Sequence, residues 1–138
     1  MYKNQEIGKF GEDMATQYLL RQGYYIHERN FKCKLGEIDI IAIDKIDKNE
    51  LVFIEVKTRK QNLFGEPVES VNYNKTRHLY KVAEYFLMIN KLENTFVRFD
   101  IIEIYEKSNN RVQINHIKNA ILDKPEKDVI LVDNSNKF

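Results

Sequence analysis

Two apolar runs, EIDIIAID over residues 37–44 and ELVFIEVKT over residues 50–58, face each other across a short polar segment. Both are strand-like, and the turn between them runs through Asp47 and Lys48, so an antiparallel hairpin is the expected solution. Four charged residues interrupt these runs: Glu37, Asp39, Glu55 and Lys57. A buried charge loses hydration worth several kcal/mol unless it is paired, so their presence at the centre of a sheet demands an explanation.

Alternation along a strand gives one. Glu55 and Lys57 share a face about 7 Å apart, and Glu37 and Asp39 share a face of the preceding strand. A hairpin symmetric about Asp47 sets Asp39 opposite Glu55 and Glu37 opposite Lys57. Opposed side chains point to the same face, so all four groups converge on one patch. A slip of one residue would destroy the convergence and send one charged pair to the face of Ile38, Ile40, Val52 and Ile54.

A salt-bridge ladder is the bland reading of that patch, with Glu37 on Lys57. It leaves three carboxylates against one ammonium, a sum of −2, and like charges opposed in a sheet destabilise it. Either a carboxyl group takes up a proton or a cation sits between the acids. Oxygen ligands with no His or Cys beside them suit Mg²⁺ or Mn²⁺. Two carboxylates holding such an ion open to a phosphate are the equipment of metal-assisted phosphodiester hydrolysis.

The remaining chain frames this hairpin. Ile7, Phe10, Met14 and Tyr18, widened by Ala15 and Leu19, recur at helical spacing from about Glu6 to Gln22, and Gly23 is the expected C-cap. Glu12 falls just outside the edge of that stripe and can lean toward whatever the helix covers. YYIHERNF is a first strand. After the loop NLFGEP, a second helix runs to about Asn90, with Leu79, Val82, Ala83 and Phe86 on its apolar line. FVRFDIIEIYE and RVQINHI are two further strands, and DVILV in the tail is either an edge strand or loose. The order αβββαββ is a mixed α/β layered fold, read as one domain over residues 1–120 with a tail over residues 121–138.

With 138 residues, 43% hydrophobic and 31% charged, the composition is that of an ordinary globular domain. No apolar run approaches the roughly 20 residues of a membrane-spanning helix, the N-terminus lacks the apolar core of a secretory signal, and Cys33 stands alone. A cytoplasmic protein with no membrane partner is expected. The net charge of +1 says nothing for nucleic acid. Its distribution does: Arg29, Lys32 and Lys34 form one cluster, Lys57, Arg59 and Lys60 a second, Lys75, Arg77 and Lys81 a third. The first two flank the acidic hairpin, as a phosphate-binding surface would, although from charge alone a solvated surface is the simpler reading.

GEIDIIAID followed by LVFIEVKTRK resembles the YraN-type family of small bacterial proteins, which belong to the PD-(D/E)xK, restriction-endonuclease-like and Holliday-junction-resolvase-like nucleases. The resemblance extends over roughly residues 8–120, through GKFGEDMATQYLLRQGY, Asn30, GEPVESVNYNKTRHLYKVAEYFL and RFDIIEI. It implies an αβββαβ core with an added C-terminal strand. It implies that Asp39 and Glu55 ligate the metal, that the Val56 carbonyl is a further ligand, and that Lys57 positions water and stabilises charge on the phosphoryl group. Glu12 matches the helix-1 glutamate that completes the metal site in related resolvases. The proline of the PD motif is absent, and Ile38 stands before Asp39. Glu37 is left open as a partner of Lys57, an orienting group or a ligand.

The reading reached from sequence is a Mg²⁺- or Mn²⁺-dependent nuclease acting on DNA, with branched or structured DNA and a homodimer implied by the resolvase analogy. Arg59, Lys60, Lys75, Arg77 and Lys34 are the candidate nucleic-acid contacts. The alternative is a non-catalytic nucleic-acid-binding accessory protein that keeps the nuclease fold. His27, His78 and His116 show no ligand spacing and are expected to be surface or structural groups. Tyr18, Tyr24 and Tyr85 are expected to pack in or near the core, and Arg98 to pair with Asp100 or a neighbouring strand.

Overall fold

Helix α1, Asn4–Arg21, forms on the apolar stripe read from the sequence: Met14, Ala15, Tyr18 and Leu19 are buried on one side of it and Phe10 is half-buried. The computed structural model describes residues 4–60, 73–120 and 126–133, with side chains for residues 8–59 and 79–120. The loop NLFGEP lies outside the described residues, and the side chains of Lys60, Lys75, Arg77 and His78 lie outside the described side chains. Gly23 ends α1 at φ +94°, a conformation that needs no Cβ, and its N–H bonds back to the Leu20 carbonyl.

The strands follow as β1 (Tyr24–Cys33), β2 (Gly36–Asp44) and β3 (Glu50–Lys60), then α2 (Tyr73–Ile89), β4 (Val97–Glu106), β5 (Arg111–Lys118) and β6 (Glu126–Asp133). They form one six-stranded sheet in chain order. All neighbours are antiparallel except β3 and β4, which run parallel because α2 returns the chain between them. This is the restriction-endonuclease-like mixed α/β arrangement, an αβββαβ core continued by β5 and β6. Neither described helix is long and apolar enough to cross a membrane.

Strand alternation divides the apolar residues into two cores. Ile40, Ala42, Val52, Ile54, Ile102 and Ile104 pack against α1, while Ile41, Leu51 and Phe53 pack against Val82, Ala83 and Phe86 of α2. The central strands are therefore buried on both faces. Tyr85 departs from expectation: it projects away from the α2 core and is exposed.

On the α1 side the sheet also buries a polar cluster. Arg98 bonds to both carboxylate oxygens of Asp100, to Asp44 at 3.1 Å, to Glu50 at 3.3 Å and to the Tyr24 hydroxyl at 2.7 Å. His116, fully buried, bridges Asp100 at 2.7 Å and the Tyr18 hydroxyl of α1 at 2.8 Å. Burial drives both Asp100 and Asp44 toward the neutral form. His116 and Arg98 at Asp100, and Arg98 with the Asp47 and Ile46 N–H groups at Asp44, outweigh it and hold both below the usual carboxylate range. Arg98 and Asp100 thus pair as the sequence suggested, and His116 is the structural histidine it was expected to be.

Candidate active site

The β2–β3 register is the one that centres on Asp47. Asp44 pairs with Glu50, Ala42 with Val52 and Ile40 with Ile54. The turn is closed by the Glu50 N–H on the Asp47 carbonyl, with Lys48 and Asn49 both at positive φ. Continued by one step, this register brings Asp39 to Glu55. At that step the ladder gives way, and the Val56 N–H donates to the Asp39 carboxylate at 2.8 Å.

The reason lies one strand over. Arg29 pairs with Ile40 and Phe31 with Ile38, so Asn30 stands beside Asp39, and Asn30 adopts a left-handed conformation at φ 56°. A left-handed residue within a strand turns the side-chain sequence over. Before the turn, Ile40 belongs to the α1 core; after it, both Phe31 and Ile38 belong to the α2 core. Pairing of β2 with β3 ends at Ile40–Ile54, and beyond it the Asp39 carboxylate takes the Val56 N–H and lines the cleft between the strands.

The fork is a cleft of about 460 Å³ lined by Asp39, Glu55, Val56, Glu37 and the α2 residues Leu79 and Val82, among others. Glu55 is buried, and Lys57, two residues on, places its ammonium 3.8 Å from the Glu55 carboxylate. Burial raises the Asp39 carboxyl to about 6; the Val56 N–H works against that shift, while Glu12, Glu55 and Glu37 add to it. Four acids thus converge on one electrostatic neighbourhood, with Asp39 at its centre. A single carboxylate under that pressure needs either a proton or a cation.

Not every predicted side chain stands as expected. Glu37, left open as a partner of Lys57, an orienting group or a ligand, faces Lys32, its cross-strand partner on β1, at 3.9 Å with both groups largely exposed. The β1–β2 hairpin is so tight, Cys33 against Gly36, that it claims Glu37 first. Glu12, half-buried on α1, meets Arg29 of β1 at 3.6 Å. Among the basic residues, Lys34 is exposed in the β1–β2 turn. Arg59 is half-buried on β3 opposite Tyr105, where its charge partly counters the effect of burial on the tyrosine hydroxyl. Arg29 itself was read only as one member of a basic cluster, and its contacts with Glu12 and Asp13 went unforeseen.

The donor set suits a hard divalent cation: Asp39 and Glu55 carboxylates, a peptide carbonyl at Val56, and, among the described residues, no imidazole or thiolate lining the cleft. Among the described residues, however, no three His, Cys, Asp or Glu side chains stand together at metal-holding spacing. Asp39 and Glu55 line the cleft together, and Glu12 pairs with Arg29.

Residues 11–104 match the family described as "Uncharacterised protein family UPF0102", a span that contains Glu12, Asp39, Glu55, Val56 and Lys57. A UPF0102 protein of Caldicellulosiruptor saccharolyticus is 49% identical over 116 residues, covering 83% of this chain and 96% of its own length. One from Clostridium botulinum is 48% identical over 121 residues, covering 86% of this chain and 96% of its own. The likeness therefore spans the fold and the cleft together.

Proposed function

The chain belongs to the uncharacterised protein family UPF0102, and from the chemistry of the Asp39 cleft we propose that it is a metal-dependent nuclease hydrolysing phosphodiester bonds in DNA. The observation that carries this reading is the meeting of Asp39, Glu55 and Lys57 at the β2–β3 fork, with Glu12 and Glu37 within electrostatic reach. Asp39, Glu55 and the Val56 carbonyl would hold Mg²⁺ or Mn²⁺, with Glu12 completing the set. When bound, such an ion polarises a phosphoryl oxygen and lowers the pKa of a coordinated water. The Val56 N–H holds one oxygen of the Asp39 carboxylate, and Asp39 lines the cleft. Lys57, anchored on Glu55, supplies positive charge where the phosphoryl group becomes more negative. The apolar wall of Leu79 and Val82 limits water around these charges and strengthens them.

Branched or otherwise structured DNA is the substrate form favoured by analogy with junction resolvases, as is a homodimer, since symmetric cleavage of two strands calls for a two-fold axis. The site of action would be the cytoplasm. Cleavage of duplex, single-stranded, flap and four-way substrates in Mg²⁺ or Mn²⁺ tests the reading. Asp39→Asn, Glu55→Gln and Lys57→Ala should each abolish cleavage and leave the protein folded and DNA binding largely intact. Full activity in Asp39→Asn would remove the assignment; binding without cleavage on every substrate would favour an accessory binding protein.

A further inference from the structure

Arg29 stands at a junction of charges that the nuclease reading leaves unexplained. From β1 its guanidinium reaches Asp13 of α1 at 2.9 Å and Glu12 at 3.6 Å through the same nitrogen. Its Nε is buried and makes no hydrogen bond among the described residues. Arg29, Glu12 and Asp13 all line a groove of about 750 Å³ beside the α1 start, and Glu37 lines both this groove and the Asp39 cleft. Glu12 therefore lies between a cation and a group of acids. On one side is Arg29; on the other is the acidic cleft, where Glu12 already acts on Asp39 but where only a cation would make its approach favourable.

We propose that Arg29 is a positioning residue that holds Glu12 off the Asp39–Glu55 pair until a divalent cation displaces it. The inference rests on the metal-dependent reading of the cleft and adds a regulation to it. Bringing a third carboxylate onto Asp39 and Glu55 without a cation is repulsive, and the Arg29 pair supplies Glu12 with an alternative. Cation binding then exchanges one ion pair for another, so the strength of the Arg29–Glu12 contact is subtracted from the metal affinity. Asp13 tunes that strength. It is the closer partner and competes with Glu12 for the same Arg29 nitrogen.

Two substitutions should shift metal binding in opposite directions, which a merely structural role for Arg29 would not do. The readout is the Mn²⁺ concentration at half-maximal Tm rise of the full chain, with no nucleic acid present. In Arg29→Gln that midpoint should fall by about two- to fivefold, the Boltzmann weight of a partly exposed ion pair. In Asp13→Asn, which frees Arg29 to grip Glu12 fully, it should rise. Should Arg29→Gln fail to fold, Asp13→Asn at the exposed edge still carries the test. In a Glu12→Gln background both shifts should vanish. A metal-responsive wild type with unchanged midpoints in both variants would overturn the lock and leave the metal site standing. A wild type and variants all indifferent to Mn²⁺ would overturn the lock and the metal reading together.

Discussion

At Asp39 and at Asp100 the same chain treats two part-buried or buried carboxyl groups in opposite ways, and the difference is the company each keeps. Asp100 meets Arg98 and His116; Asp39 meets one N–H and three acids. The signs of their contributions to stability are therefore opposite. Asp44 and Asp100 are depressed, so what they contribute is complete above their unfolded pKa of about 4 and is lost as pH falls through their lower folded values. Asp39 is raised to about 6, so the folded state binds its proton more tightly, and in chelator stability should increase as pH falls from about 6 toward about 4. Denaturant midpoints measured in EDTA should show a gain in the upper window and a loss in the lower one, and Asp39→Asn should flatten only the upper one. Arg98→Ala strands two buried carboxylates, which should cost about 3–5 kcal/mol in the same measurement, near the range for breaking a buried ion pair.

Helix α1 carries Glu12 to the site, and the residue before it controls how closely the helix can lie on β3. A Cβ at Gly11 would collide with the Thr58 Oγ1 and fall 2.9 Å from the Thr58 Cβ, too close for side-chain rotation alone to relieve. Gly11→Ala should therefore lift the helix start, destabilise the fold by about 1–3 kcal/mol as overpacking does, and weaken metal binding through Glu12; Thr58→Gly in the same chain should restore much of both in denaturant melts and Mn²⁺ titrations. The helices and strands that place these groups were readable because period and turn chemistry are local. Phe10, Met14 and Tyr18 mark α1, and the Asp47–Lys48 turn sets the register that runs to Ile40–Ile54, one step short of Asp39 and Glu55. What escaped was non-local or depended on a single backbone angle. Nothing in the spacing of residues 12, 13 and 29 announces their ion pairs, and Asn30, of the side-chain type that most readily turns left-handed, was read inside the strand run YYIHERNF without that turn. Glu37 went to Lys32 because the pairing of β1 with β2 competes with that of β2 with β3, and the sequence reading weighed only the latter.

Taken together, the sheet has two electrostatic regions on different footings. Around Arg98 the acids Asp44, Glu50 and Asp100 share one guanidinium inside the fold, with His116 bonded to Asp100, whereas at the β2–β3 fork Asp39 receives the Val56 N–H while Lys57 lies on Glu55 and Arg29 on Glu12. A fold that holds the Asp39 carboxyl part-buried among other acids gives up stability there, and ligand binding to the folded state returns it as RT ln(1 + [L]/Kd). Tenfold excess of metal over Kd corresponds to about 1.4 kcal/mol, a Tm rise of a few degrees for a chain of this size. The direct measurement is a set of thermal melts of wild type and Asp39→Asn in EDTA and in millimolar Mn²⁺. The wild type should gain those degrees with metal, while Asp39→Asn should be as stable as wild type or more so in EDTA and gain nothing from Mn²⁺. A wild type indifferent to Mn²⁺, beside an Asp39→Asn variant that melts lower in EDTA, would mean that the acids hold the sheet together and bind no cation.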